Sequence, residues 1–123
     1  KLTYLDNDNK KRNEVAKRYL KFKGKCNIIF PEIFTNTEHV FHLFVIRTKK
    51  RSLLIKKLNE KNIFPGIHYP IPNHTQQAFK HLINKKSNLK ITEKISSEIL
   101  SLPIYPGLKN EEVKIICDII KDF

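Results

Sequence analysis

The apolar positions along the chain follow two periods, and each period predicts a different kind of element. Residues 39–47 are rich in β-branched and aromatic side chains and contain no Gly or Pro, which predicts a strand. Strict alternation places Phe41 and Phe44 on opposite faces, and a strand that is apolar on both faces is typical of the centre of a sheet. Residues 110–123 instead repeat with a helical period. Their predicted buried face comprises Val113, Ile116, Cys117, Ile120 and Phe123.

Three further segments have approximately helical spacing. Residues 2–22 and 50–61 predict two helices, and a third is expected over 92–98. Thr92 is the predicted N-cap of the third helix, since a side-chain oxygen there can accept a backbone N–H, and Asn110 is assigned the same role for the last helix. Asn62 directly follows the helix predicted over 50–61, and Asn tolerates the left-handed C-cap conformation better than other non-glycine residues.

Residues 99–102 read as a short strand, and residues 27–30, closed by Pro31, are a further candidate strand. Together these elements predict an α/β (α+β) domain, with a sheet of about three strands and helices packed on it.

The stretch over residues 63–69 is expected to start as a short apolar strand and to stop at two prolines. Pro70 and Pro72 supply no backbone donor, and each pushes the preceding residue into extended geometry. His68 and Tyr69 therefore lie at a rigid strand end, where a scaffold can present polar side chains.

The segment after the prolines is predicted to be helical. Asn73 is a candidate N-cap for a short helix over 74–82, which places His74 in the first turn. His81 is expected to be exposed on that helix, and residues 84–90 form a polar, lysine-rich loop.

Charge and composition bear on two classes of function, nucleic-acid binding and membrane insertion. The net charge is +12, and 20 of the 24 basic residues are lysine. Dedicated nucleic-acid readers favour arginine, and no zinc-finger, RNP-like or helix-turn-helix pattern occurs, so we do not expect nucleic-acid binding. No apolar run is long enough to cross a membrane, and we expect a cytoplasmic protein.

Metal and disulfide chemistry are not indicated either. His39 and His42 are three apart on a predicted strand, so they point to opposite faces and cannot share one metal ion. Cys26 and Cys117 match no metal or redox spacing and are expected to be reduced thiols.

Two motifs in the right order resemble a known family. The run His68-Tyr69-Pro70-x-Pro72-x-His74-x-Gln76-x-Ala78-Phe79 is similar to the late signature of the DegT/DnrJ/StrS pyridoxal-phosphate-dependent sugar-nucleotide aminotransferases. The run Leu100-Ser-Leu-Pro-Ile-Tyr-Pro-Gly-Leu108 is similar to the C-terminal signature of the same family. Pro65 and Gly66 depart from the family pattern, which is more often polar there.

The resemblance covers nearly the whole chain but only the last third of a family member. It implies the small domain of a fold-type I aminotransferase, with residues 1–22 as the end of the inter-domain helix and 23–123 as the C-terminal small (lid) domain. The large domain that binds pyridoxal phosphate is expected upstream of Lys1. The chain contains no methionine, which fits an expected piece of a longer protein that is inactive by itself.

The function implied is transfer of an amino group, usually from glutamate, onto a nucleotide-linked keto-deoxysugar, and the motif resembles the dTDP-3-keto-6-deoxyhexose subgroup. Such enzymes serve bacterial lipopolysaccharide, surface-glycan or antibiotic sugar biosynthesis and form homodimers. A sugar 3-dehydratase of the same fold and a stand-alone basic binding domain stay open as alternatives.

The resemblance assigns substrate contacts to His68, Tyr69 and His74, and no catalytic, cofactor or metal ligand to this chain. The competing interpretations are a structural histidine at the sheet edge for His68 and an aromatic ring packed under Pro72 for Tyr69. Arg47 and Arg51 are open candidates for pairing with an acid outside the chain.

Overall fold

The computed structural model describes residues 2–79 and 89–123. The helices are α1 (Leu5–Leu20), α2 (Arg51–Asn59), α3 (Lys90–Glu98) and α4 (Asn110–Lys121). The strands are β1 (Phe44–Arg47) and β2 (Ile99–Leu102). Single 3-10 turns span Leu2–Tyr4, Asn73–Thr75 and Gln77–Phe79. Residues 84–88 of the loop predicted over 84–90, the end of the helix predicted over 74–82 and His81 lie outside the described residues; Lys90 of that loop is the first residue of α3 instead.

The two strands pair antiparallel, with Phe44 opposite Leu102 and Arg47 opposite Ile99. The mixed helix-and-sheet class is confirmed, but the described part of the chain forms two strands rather than the predicted three. A single bridge on each outer side, one at Ile29 and one at Gly66, extends the pair.

Pro31 explains why residues 27–30 do not form a strand. Ile29 and Arg47 exchange two backbone hydrogen bonds of 2.9 Å. In an antiparallel ladder the next hydrogen-bonded pair along would be Pro31 opposite Val45. Proline has no N–H to donate, so the ladder ends after one bridge.

The strand predicted over 39–47 begins only at Phe44 because the chain turns at Phe41. Phe41 has a left-handed backbone with φ +50, and its N–H donates to Nδ1 of His39 at 2.9 Å. The alternation is therefore broken, and Phe41 and Phe44 are buried in the same core with ring centroids 5.7 Å apart. The prediction that they occupy opposite faces was wrong.

One apolar core lies between the helices and the sheet. The predicted buried face of α4 is confirmed in full, and α1 and α2 add Ala16, Tyr19, Leu54 and Leu58. Asn62 has φ +58, which confirms the predicted left-handed cap.

The predicted N-caps of α3 and α4 were wrong by one to three positions. Leu89 occupies the cap of α3, and Lys109 that of α4. In α4 the Lys109 N–H donates to Glu112 Oε2 at 2.9 Å, so a glutamate inside the helix closes its first turn and the helix starts at Asn110 itself.

The helix predicted from residue 74 is replaced by two 3-10 turns. Thr75 donates both its N–H and its Oγ1–H to the Pro72 carbonyl, each at 2.9 Å. This local bonding competes with a helical ladder, and Gln76 is extended, which separates the two turns. Pro72, not Asn73, occupies the cap position. Within residues 2–79 and 89–123, no helix is long and apolar enough to cross a membrane.

Candidate functional site

The segment that carries His68 is fixed to the edge of β2. Gly66 N–H donates to the Ser101 carbonyl at 3.0 Å, and Ser101 N–H donates to the Gly66 carbonyl at 2.7 Å. This is a single bridge rather than the strand predicted from residue 63, but it holds the backbone two residues before His68.

The His68 ring packs between the Ser101 hydroxyl and the backbone of Gly66. Its Nδ1 lies 2.9 Å from Ser101 Oγ, and Ser101 is buried. A Cβ at residue 66 would lie 2.6 Å from His68 Cε1, which is closer than real Cβ contacts. The glycine therefore leaves room for the ring, and the other side of His68 is exposed to solvent.

Tyr69 points away from the core. Its side chain is 76% exposed, so it does not pack under Pro72. The peptide bond between His68 and Tyr69 is cis, and their rings meet edge to face with centroids 5.8 Å apart. Tyr69 borders an open cavity of about 540 Å³, whose other walls are Pro70, Ile71, Asn73, Gln76 and Gln77.

His74 is drawn towards helix α3 instead. Its Nε2 lies 3.0 Å from Oε1 of Glu93, in the first turn of α3, and its side chain is largely buried. This contact ties the 3-10 turn Asn73–Thr75 to α3. The structure thus brings His68 and Tyr69 together at one exposed edge and gives His74 a protein partner.

Sequence reasoning missed Ser101 and Glu93 as partners of the two histidines. For Ser101 a signal existed, because it is the lone polar residue in the strand Ile-Leu-Ser-Leu. For Glu93 nothing in the local pattern distinguished it from other acidic residues in a first helical turn.

Both candidate arginines have partners inside the chain. Arg47 Nη2 lies 2.8 Å from Glu98 Oε2, and this hydrogen bond holds the pKa of the Glu98 carboxyl below its usual value. Arg51 Nη1 donates to the Ser96 carbonyl at 2.6 Å. Pairing of either arginine with an acid outside the chain stays a prediction.

The described residues do not form a site that fits pyridoxal phosphate. That cofactor requires a lysine held in an enclosed pocket, and no lysine in the described ranges is buried. Among these residues no three His, Cys, Asp or Glu side chains are placed to hold a metal ion. Cys26 and Cys117 are free thiols.

Comparison with known proteins assigns the chain to a family. Residues 1–121 match the DegT/DnrJ/EryC1/StrS aminotransferase family, and the chain belongs to it. The chain is 40% identical over 123 residues to the dTDP-3-amino-3,6-dideoxy-alpha-D-galactopyranose transaminase of Aneurinibacillus thermoaerophilus. That match covers 100% of this chain and 33% of the relative.

Solved structures give the same assignment. S. venezuelae DesV in complex with a ketimine intermediate superposes with a TM-score of 0.90 at 31% identity, over 98% of this chain and 33% of that one. NtdA of Bacillus subtilis with bound cofactor PMP superposes with a TM-score of 0.82 at 32% identity, over 95% and 28% of the two chains. The chain thus spans about a third of the length of the relatives it matches.

Proposed function

We propose that the complete protein transfers an amino group from glutamate onto a nucleotide-linked keto-deoxysugar, and that this chain supplies the small domain over the substrate. The observation that carries the proposal is the exposed His68–Tyr69 pair, held by the Gly66–Ser101 bridge, in a chain of this aminotransferase family. The transaminase name of the Aneurinibacillus relative supports a dTDP-linked 3-keto-6-deoxyhexose as the substrate.

We further propose a division of labour between two domains. Pyridoxal phosphate, held by a large domain outside this chain, would supply the electron sink for the amino transfer. The residues 1–22 are proposed as the end of the helix that joins the two domains, and 23–123 as the lid. The PMP-bound Bacillus subtilis structure supports the cofactor assignment.

His68 and Tyr69 are proposed to bind the sugar. Each offers a directional polar tip on a fixed backbone, which is how a binding site sets substrate orientation. His74 keeps Nδ1 for a further contact, since Glu93 engages its Nε2. We further propose a homodimer, and a role in lipopolysaccharide, surface-glycan or antibiotic sugar synthesis.

Separate half-reactions test the substrate role. In the complete enzyme, His68→Ala and Tyr69→Phe should lower turnover with the sugar nucleotide roughly three- to tenfold each, because each removes one hydrogen bond to substrate. The half-reaction with glutamate should change little. His42→Ala and Tyr105→Phe, which alter exposed side chains elsewhere, serve as matched controls.

Equal losses in both half-reactions would assign His68 and Tyr69 a structural role instead. The same assay separates the two reactions open to this fold. A dehydratase would consume the sugar nucleotide without taking an amino group from glutamate, which would overturn the aminotransferase proposal.

A further inference from the structure

The ring of His68 is hydrogen-bonded to Ser101, whose other polar groups are already engaged. Ser101 lies in β2 and is only 4% exposed. Its backbone N–H and carbonyl are both engaged by Gly66. Within the described residues, its hydroxyl has one hydrogen-bond partner, which is His68 Nδ1 at 2.9 Å.

Two arrangements of the protons are compatible with that distance, and their costs differ. If Nδ1–H donates to Oγ, the buried hydroxyl hydrogen has no acceptor among the described residues, and an unmet buried donor is costly. If Oγ–H donates to Nδ1, the serine donor is satisfied and the imidazole proton sits on Nε2. The second arrangement therefore leaves the buried Ser101 hydroxyl with no unmet donor.

We propose that Ser101 is a positioning residue that holds neutral His68 as the Nε2–H tautomer, so that His68 donates a hydrogen bond to an oxygen of the substrate. Gly66 completes the arrangement, because any larger residue would displace the ring from Ser101. The tautomer assignment rests on this chain alone. The identity of the acceptor, an oxygen of the sugar nucleotide, rests on the proposed function.

Nitrogen-15 NMR of the complete protein, labelled at histidine, tests the tautomer without any substrate. In alkaline solution, where the imidazole is neutral, His68 should show a protonated Nε2 and an unprotonated, hydrogen-bonded Nδ1, with His68→Gln identifying its signals. Ser101→Ala should shift both nitrogens towards the values of a free imidazole. Ser97→Ala, which removes an exposed hydroxyl bonded to Lys94 on α3, should leave them unchanged. A proton on Nδ1 in the wild type, or identical spectra for wild type and Ser101→Ala, would overturn the proposal.

Kinetics then separate positioning from general damage to the fold. Ser101→Ala should lower kcat/KM for the sugar nucleotide roughly three- to tenfold, as for the loss of one hydrogen bond, with the glutamate half-reaction retained. Ser101→Thr, which restores a hydroxyl on a β-branched residue suited to a strand, should recover most of that loss. Equal losses in both half-reactions, with no recovery by threonine, would reject the positioning role.

Gly66→Ala provides a second, independent variant. Its new Cβ meets the His68 ring, so it should reduce kcat/KM for the sugar nucleotide at least as much as Ser101→Ala. Gly107→Ala is the matched control, since a Cβ there meets only Tyr105 at 3.9 Å. Equal activity for Gly66→Ala and wild type would contradict the proposal. If no sugar nucleotide is a substrate, the proposed function fails, and the NMR result still decides the tautomer.

Discussion

Tyr19 joins helix α1 to the turn after β2 through both its ring and its hydroxyl. The side chain is fully buried, and its ring packs edge to face on Phe44 at 5.1 Å. The hydroxyl donates to the Pro103 carbonyl at 2.8 Å. Burial raises the pKa of Tyr19 well above its ordinary value, so the hydroxyl remains a donor throughout the accessible pH range.

Tyr19→Phe should therefore lower the free energy of unfolding by about 1 to 2 kcal/mol, because it leaves the Pro103 carbonyl without its partner while the ring remains. Urea denaturation of the chain measures the change. Tyr4→Phe is the control: Tyr4 is 67% exposed and should shift stability by less than about 0.5 kcal/mol. If Tyr19→Phe and Tyr4→Phe both unfold at the wild-type urea midpoint, the hydrogen bond from Tyr19 to Pro103 does not stabilise the fold.

Single residues differ in how far their conformation could be predicted. Asn62 stands directly after an apolar helical pattern, and its left-handed backbone follows from that position and from its short side chain. Phe41 has the same backbone region but no such signal, because a β-branched and aromatic run predicts an extended chain. Burial of its ring in the core overrides that preference, and only the folded packing reveals it.

At the level of elements, the end of β1 is joined to the α3–β2 junction by a pair of residues, Arg47 on β1 and Glu98 at the junction. Glu98 accepts from Arg47 through its carboxylate at 2.8 Å, and its carbonyl accepts from the Thr48 N–H at 3.0 Å. Glu98 ends α3 and directly precedes β2, so these contacts fix how the helix enters the sheet. Replacement by glutamine keeps the shape and removes the charge.

The depressed pKa of Glu98 gives this junction a defined pH dependence. Because the carboxyl is more acidic in the folded state, its ionised form stabilises the fold above the ordinary glutamate value of about 4.3. That contribution is lost as pH falls through the folded pKa. Glu98→Gln should thus be less stable than wild type at neutral pH, and the gap should close in acid.

Thermal unfolding from pH 7 down to about pH 3 would measure that gap, with Glu60→Gln as the control. Glu60 is exposed at the C-terminal cap of α2 and should give a small difference from wild type at every pH. A Glu98→Gln difference that stays constant into acid would show that the charge of Glu98 does not stabilise the junction.

Elements with a complete local pattern were predicted well, and those controlled by one hydrogen bond were not. The buried face of α4 and the span of β2 follow from periodicity alone. The strand at 27–30 failed because Pro31 falls on the donor position of the next pair, and this register cannot be known before the strands are aligned. The helix predicted from residue 74 failed because Thr75 bonds back to Pro72.

For the whole molecule, the motif located the candidate site but not its supports. The prolines after Tyr69 marked a predicted strand end, but the structure holds the segment of His68 and Tyr69 by the single Gly66–Ser101 bridge instead. Ser101 is 33 residues away from His68, and only the sheet brings them together. The sequence signal of such a long-range contact is limited to a single polar residue in an otherwise apolar strand.

The distribution of lysine over the molecule predicts how this chain alone reacts with pyridoxal phosphate. None of the lysines in the described ranges is buried, so the described residues form no site that concentrates the cofactor beside one amine. With one equivalent of cofactor and borohydride reduction, peptide mass spectrometry should find low labelling scattered over many lysines. The complete protein should instead be labelled at one dominant lysine outside residues 1–123, because a Schiff-base lysine needs an enclosed pocket. Stoichiometric labelling of a single lysine in this chain would refute the proposed division of labour between the two domains.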